Sequence, residues 1–141
     1  MCRSIMLLPA LLSAIACGIL RAEPPEIGEG EWELVALDED THPRGAAGRP
    51  VTLRLDAEDG RAVGFAGCNR YSAGYVLEDD RLEFAPPIAT RMACAEGMEL
   101  ERRFLAALGT VTAYEATETT LVLRGPGGPL ARFRAPVREG P

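Results

Sequence analysis

The sequence predicts an α+β domain in which a curved antiparallel sheet of about seven or eight strands, a half-open barrel, packs around one amphipathic helix. Apolar and polar residues alternate along several short segments, which is typical of half-buried strands. Acidic or glycine-rich turns separate these segments at the spacing of hairpins. Residues 95–108 alone change to helical periodicity, and their apolar stripe needs a sheet to cover it.

The strands are predicted from segments in which apolar and polar residues alternate and from the turns that separate these segments. Acidic turns at residues 56–60 and 78–80 each join two alternating segments into a hairpin, and a third hairpin follows the helix. Proline and glycine content predicts loops at 42–50 and 85–87. The predicted strands are residues 32–36, 51–55, 62–66, 74–77, 81–84, 110–114, 119–124 and 130–135.

The helix is predicted over residues 95–108. Leu100, Phe104 and Leu108 recur at the spacing of one helix face. Glu99 lies in the first turn, where a carboxylate interacts favourably with the helix dipole. Gly109 is a helix stop signal.

The composition excludes several classes of protein. A chain of 141 residues, with 47% hydrophobic and 26% charged residues, fits one globular domain and excludes a disordered or multi-span protein. Its formal charge of −6 argues against a nucleic-acid partner, because phosphate binding needs a surplus of basic residues on one face.

Residues 1–22 are predicted to be an export signal. A short basic start precedes an apolar run over residues 5–15, which is too short for a spanning helix. Residues 14–17, Ala-Ile-Ala-Cys, resemble a bacterial lipobox in which Cys17 becomes the lipidated first residue. The same residues also form an A-x-A site for ordinary signal peptidase, Ala22 offers a later cut, and a buried N-terminal helix is a further alternative.

This signal sets the expected domain organisation and location. Residues 23–30 are predicted to be a flexible tether, residues 31–136 the folded domain, and residues 137–141 a C-terminal tail. The protein is expected to be exported, and to be periplasmic or anchored by lipid to the bacterial cell envelope.

Two cysteines remain in the folded part once Cys2 and Cys17 are assigned to the signal. An even number of thiols in an exported domain favours a disulfide between Cys68 and Cys94. Two independent buried thiols are the alternative. A metal site is not expected, because the chain has one histidine and no C-x-x-C spacing.

Two motifs resemble the HslJ/META domain family. They are the G-C-N-R-Y block at residues 67–71, followed by Gly-Tyr at 74–75, and the T-R-M-A-C block at residues 90–94. The resemblance covers roughly residues 31–135 and includes an opening Trp-x-Leu and the helix residues Glu101, Phe104 and Leu108. It implies a bacterial envelope protein, often a lipoprotein, with a stress-associated role linked to heat shock or antibiotic tolerance.

The resemblance implies a non-catalytic domain and brings no catalytic residues. The expected partner is an envelope protein, with a membrane contact through the lipid and with the chain itself a monomer. A carrier that encloses a small apolar ligand between sheet and helix is the alternative, and it needs an unfilled pocket. No cofactor is expected.

Catalytic signatures are missing from the sequence. There is no G-x-S-x-G elbow, no phosphate loop and no dinucleotide fingerprint, and His42, the only histidine, lies beside a proline in a predicted loop. A hydrolase built on paired carboxylates remains a third hypothesis.

The G-C-N-R-Y block admits two interpretations. In the first, it builds a bulged loop that Cys68 pins to the segment before the helix. In the second, Asn69, Arg70, Tyr71 and Arg91 form a binding surface around that loop. Of the neighbours of Arg91, Thr90 is expected to bond to backbone and Met92 to fill the core.

Overall fold

The computed structural model describes residues 26–135. The predicted signal (1–22), the lipidation site Cys17, the first part of the tether and the tail (137–141) lie outside these residues. The elements, in chain order, are β1 (Trp32–Leu37), β2 (Thr52–Asp56), β3 (Arg61–Phe65), β4 (Arg70–Glu78), β5 (Arg81–Phe84), β6 (Ile88–Ala89), α1 (Met98–Leu108), β7 (Ala113–Ala116), β8 (Thr120–Gly125) and β9 (Gly128–Arg134), with a 3-10 turn at Ala46–Gly48.

The sheet closes into an antiparallel barrel. Eight strands form a ring in the order β3-β2-β1-β9-β8-β7-β5-β4, and pairing of β3 with β4 closes it, from Arg61 opposite Gly74 to Phe65 opposite Arg70. The short β6 pairs with β4 along the same edge as β5, after a break at two prolines. The predicted α+β fold is confirmed, and the barrel is closed where a half-open one was expected.

The largest differences from the predicted strands are two strand starts and one additional short strand. β4 begins at Arg70, before the predicted start at residue 74, because Arg70–Gly74 pairs with β3. β6 was not predicted, and its two residues are too few to show alternation. β7 begins at Ala113 because residues 110 and 111 still donate backbone hydrogen bonds to the last turn of α1, at Ala107 and Leu108.

The apolar stripe of α1 fills the core. Leu100, Phe104 and Leu108 are buried, and Phe104 is completely inaccessible to solvent. The ring of Phe104 makes edge contacts with the ring of Tyr71 on β4, at a centroid distance of 5.4 Å, and with the ring of Phe133 on β9, at 6.3 Å. One helix side chain therefore joins two walls of the barrel.

The helix begins later than predicted. Residues 95–97 precede it, and Gly97 has a left-handed backbone, with φ at 91°, which is not helical. Gly109 ends the helix, as predicted. Within the described part of the chain, no helix combines the length and apolar character needed to cross a bilayer.

Replacing Phe104 with alanine tests the importance of this packing. We expect the free energy of unfolding to fall by about 3–5 kcal/mol, because the substitution removes the ring and leaves a cavity between the helix and the barrel walls. Chemical denaturation gives the value. The control is Met98→Ala on the same helix, whose exposed side chain should cost less than about 1 kcal/mol. A loss below about 1 kcal/mol in Phe104→Ala would contradict the central position of this ring.

Candidate functional site

The G-C-N-R-Y block forms the loop between β3 and β4, and this loop lies against the start of α1. Gly67 has φ at 133°, and a Cβ atom there would lie 2.8 Å from the carbonyl oxygen of Gly97. A Cβ atom on Gly97 would in turn lie 2.3 Å from the carbonyl oxygen of Gly67. Only glycine fits both positions, and the two backbones can approach closely for that reason.

A carboxylate on α1 binds this loop. Glu101 is buried, and its Oε2 accepts hydrogen bonds from the backbone N–H of Cys68, at 3.0 Å, and from that of Asn69. Its Oε1 accepts a third bond from Asn69 Nδ2, at 2.8 Å. The desolvated carboxylate is therefore compensated by three N–H donors of one loop.

The side chain of Asn69 extends the same connection to a third segment. Its Oδ1 accepts bonds from the backbone N–H of Met92, at 2.7 Å, and from the hydroxyl of Thr90, at 3.1 Å. Its Nδ2 donates to the carbonyl oxygen of Met92, at 3.2 Å, as well as to Glu101. All four hydrogen-bonding positions of this buried amide are used. We call Glu101, Asn69, Thr90 and the backbone of Cys68 and Met92 the Glu101–Asn69 network.

A covalent bond spans the same segments. Cys68 and Cys94 form a disulfide with a Cα–Cα distance of 5.9 Å, within the range that a bridge requires. The bond joins the β3–β4 loop to the segment before α1. The loop is thus attached to its surroundings by hydrogen bonds and by a disulfide.

Tyr71 points into the barrel. Burial raises the pKa of its phenol, so the hydroxyl stays protonated and donates a hydrogen bond to the carbonyl oxygen of Thr52 on β2, at 2.8 Å. The same ring contacts Phe104. This side chain therefore joins β4 to β2 and to the helix from inside.

These positions correct the binding surface expected from the sequence. Asn69 and Tyr71 are buried, because the first completes the Glu101–Asn69 network and the second fills the core. Arg70 and Arg91 are exposed. The four residues therefore do not form one surface, and only the two arginines are open to a partner.

Two smaller expectations also change. The side chain of Met92 is 60% exposed, so the prediction that it fills the core is wrong. It is the backbone of Met92 that is used, because both its N–H and its carbonyl bond to Asn69. The side-chain hydroxyl of Thr90 donates to the side chain of Asn69, where a bond to backbone was expected.

Glu101 is the site residue to which the sequence analysis gave no role. It lies three residues before Phe104 and seven before Leu108, so helical periodicity places it on the apolar face. A carboxylate in an otherwise apolar stripe is the signal that identifies a buried polar contact.

Packing argues against the alternative of an apolar-ligand carrier. Leu100, Phe104 and Leu108, which would line such a cavity, are buried among the residues of the barrel core. A depression lined by Val76, Glu78, Arg81 and Glu83 has a volume of about 30 Å³. A carrier needs a cavity of several hundred cubic ångströms, roughly 300 Å³ or more.

Comparison with known proteins agrees with the resemblance seen in the sequence. The model of the META domain matches residues 25–137. An NMR structure of a protein from Burkholderia xenovorans is similar, with 28% sequence identity and a TM-score of 0.66, over 93% of this chain and 100% of that chain. No curated protein matches the chain.

Two more distant structures show the same fold. A second NMR structure is 21% identical, with a TM-score of 0.56 over 74% of this chain and 88% of that one. The crystal structure of a duf4847 family protein from Bacteroides vulgatus is 15% identical, with a TM-score of 0.52 over 76% of this chain and 92% of that one.

Replacing Glu101 with glutamine tests the Glu101–Asn69 network. Both carboxylate oxygens face N–H donors, so the new amide nitrogen must face a donor in either orientation. We expect unfolding to become easier by about 1–3 kcal/mol, measured by chemical denaturation. Glu99→Gln, on the exposed side of the same helix, is the matched control and should cost less than about 1 kcal/mol, because it weakens only a solvent-exposed ion pair with Arg102 and the contact with the helix dipole. Equal midpoints for Glu101→Gln and the wild type would show that the network does not stabilise the fold.

Replacing Cys94 with serine tests the disulfide. We expect a lower melting temperature in oxidising buffer, because the closed loop removes unfolded-state entropy worth about 3.5 kcal/mol at this loop length. Thermal unfolding followed by circular dichroism measures the difference. The reduced wild type is the control and should melt close to the variant. A variant that melts with the oxidised wild type would rule out a stabilising bridge.

Proposed function

Because the chain belongs to the META domain family, we propose that it is a non-catalytic domain of the bacterial cell envelope, attached to a membrane by a lipid on Cys17. It acts by binding another envelope component, and not by turning over a substrate. The observation that carries this proposal is that the buried polar groups beside the family motifs are fully occupied in holding the fold together.

The Glu101–Asn69 network supports the non-catalytic part of the proposal. A general acid or base needs a carboxyl group that can reach a substrate, whereas both oxygens of buried Glu101 already accept bonds from the protein. Cys68 and Cys94 carry no thiol that could serve as a nucleophile, because they are bonded to each other. These residues therefore contribute to stability and to the shape of the outer surface.

The presence of a disulfide supports export. Disulfides persist in the periplasm and are rare in the cytosol, where thiols are kept reduced. The sequence before the domain contains the features of an export signal and a cysteine at the end of a lipobox-like motif. A lipid on Cys17 and the predicted tether would keep the barrel close to a membrane.

The resemblance to the HslJ/META family supports a role under stress. In this proposal the domain maintains contacts between envelope components when heat or antibiotics disturb them. A closed barrel with a disulfide and a buried hydrogen-bond network suits that role, because its surface keeps its shape while the surroundings change.

The intact mass of the protein from membranes of its native host tests the anchoring. We expect a chain that begins at Cys17, carries acyl groups, and has the mass deficit of one disulfide. The Cys17→Ser variant in the same host is the matched control and should lose the acyl mass and leave the membrane fraction. A full-length chain with residues 1–22 still attached would contradict the proposal.

The same two strains, with a deletion strain, test the stress-associated role. Wild type should restore survival of the deletion strain after heat shock, and Cys17→Ser should restore less because the domain is no longer held at the membrane. Survival that is equal in all three strains would contradict a role in heat stress.

A further inference from the structure

The strand register places several arginines on one outer wall of the barrel. Arg54 on β2 lies opposite Val63 on β3, Val63 lies opposite Ser72 on β4, and Ser72 lies opposite Ile88 on β6. Arg61 lies two residues before Val63 on the same face. Arg70 lies opposite Phe65 in the next row. Cross-strand partners share a face of a sheet, so these rows form one continuous surface.

Two more arginines join this surface from neighbouring loops. The guanidinium of Arg49 lies over the ring of Phe65, at 3.9 Å from its centroid. The backbone N–H of Thr90 donates to the carbonyl oxygen of Arg70, so the backbone of the next residue, the exposed Arg91, lies beside the Arg70 end of this wall. We call this surface the arginine face; its members are Arg49, Arg54, Arg61, Arg70 and Arg91, all of them exposed.

Arginines outnumber carboxylates on the arginine face and beside it. Among the ion pairs formed by residues 26–135, one involves this face, between Arg54 and Asp56 at 3.9 Å, and the other pairs lie elsewhere. Asp56 is the carboxylate on β2 in these rows, and on β1 Glu33, which pairs with Arg134, lies opposite Thr52. The same register places Glu31 beside Arg54, and the acidic turn that carries Glu58 and Asp59 lies beyond the end of the rows. The five arginines therefore outnumber the carboxylates beside them on β2 and at the start of β1, which are Asp56, Glu31 and Glu33, whereas the whole protein has a net charge of −6.

Exposed apolar side chains lie among these arginines. Ile88 is 70% exposed at the end of the central row, and Met92, next to Arg91 in the chain, is 60% exposed. From the strand spacing, the rows from Arg54 to Ile88 span about 15 Å. Guanidinium groups that bind phosphate oxygens, beside apolar side chains that enter the acyl boundary, are the combination that binds a membrane interface.

The chain enters the barrel beside the arginine face, so this face lies near the end of the domain that the proposed lipid would anchor. In the pairing of β1 with β2, Trp32 lies opposite Leu53, so the segment before Trp32 enters the barrel beside Arg54. A flexible coil of 15 residues, the length from Cys17 to Trp32, spans about 20 Å. The arginine face is therefore close to the end of the tether.

We propose that the arginine face docks on the anionic, phosphate-bearing surface of the membrane that carries the anchored chain. This inference rests on the proposed function, because the lipid on Cys17 supplies the proximity. The net charge of the rest of the molecule repels an anionic surface, so the barrel docks in one orientation with this wall toward the lipid.

Binding to lipid vesicles of residues 18–141, which are the mature chain without its lipid-bearing Cys17, tests the proposal. This chain contains the disulfide and the strand pairs that close the barrel. Co-sedimentation should show binding at low salt to phosphatidylcholine vesicles that contain about a third phosphatidylglycerol, and none to pure phosphatidylcholine. About 0.5 M salt should release the protein, because it screens the attraction.

Two double variants of equal charge separate the arginine face from net charge. Arg61→Gln with Arg70→Gln should weaken binding by about 25-fold, or about fivefold for each arginine. Arg124→Gln with Arg132→Gln removes two arginines from β8 and β9, on the opposite side of the ring, and should change binding less than about twofold. Circular dichroism melting of both variants should match the wild type.

Three outcomes would overturn the docking proposal, and a fourth would reject only the anchoring on which it rests. Equal binding to neutral and anionic vesicles, or an equal loss in both double variants, would mean that the arginine face has no specific role. Binding to soluble polyglutamate without binding to anionic vesicles would assign the face to an acidic protein. An intact mass without acyl groups, together with vesicle binding that depends on Arg61 and Arg70, would reject the anchoring and leave the docking face in place.

Discussion

The carboxylate of Glu101 is bound inside the protein by N–H groups of a single loop, and the geometry of the barrel depends on that contact. Burying a carboxylate is unfavourable unless hydrogen bonds replace its water, so the loop must present its backbone N–H groups to the helix in one conformation. The loop ends at Arg70, where β4 begins to pair with β3. A contact at the helix start therefore fixes the register of the strand pair that closes the barrel.

The same register separates the interior of the domain from its outer wall. Successive residues of a strand point to opposite faces, so Tyr71 packs against Phe104 while Arg70, one residue earlier, faces solvent. A shift of β4 by one residue would exchange these positions and bring an arginine into the core. The Glu101–Asn69 network and the disulfide prevent such a shift, and they also determine which side chains the barrel presents to a partner.

Local patterns in the sequence predicted much of the fold. The hairpins on either side of β4 and the helix stripe of Leu100, Phe104 and Leu108 depend on alternation, turns and periodicity, which short segments contain. Closure of the barrel depends on β3 and β4 meeting through a loop whose conformation is set by Glu101, more than thirty residues away. Asn69 and Tyr71 were predicted to lie on the surface, because the partners that bury them come from distant segments of the chain.

Net charge is a poor guide to what this surface can bind. The value of −6 is a sum over the chain, whereas an approaching partner experiences the charge within about one Debye length, roughly 8 Å. Many acidic residues occupy the turns, such as residues 38–40 and 78–80, and the strands β2, β3 and β4 turn their arginines to one wall. The composition is therefore that of an acidic protein, whereas the strand register gathers arginines on one side of it. Such a molecule is attracted to an anionic surface in one orientation and repelled in the others, so the strand pairing that closes the barrel also sets the direction from which a partner is met.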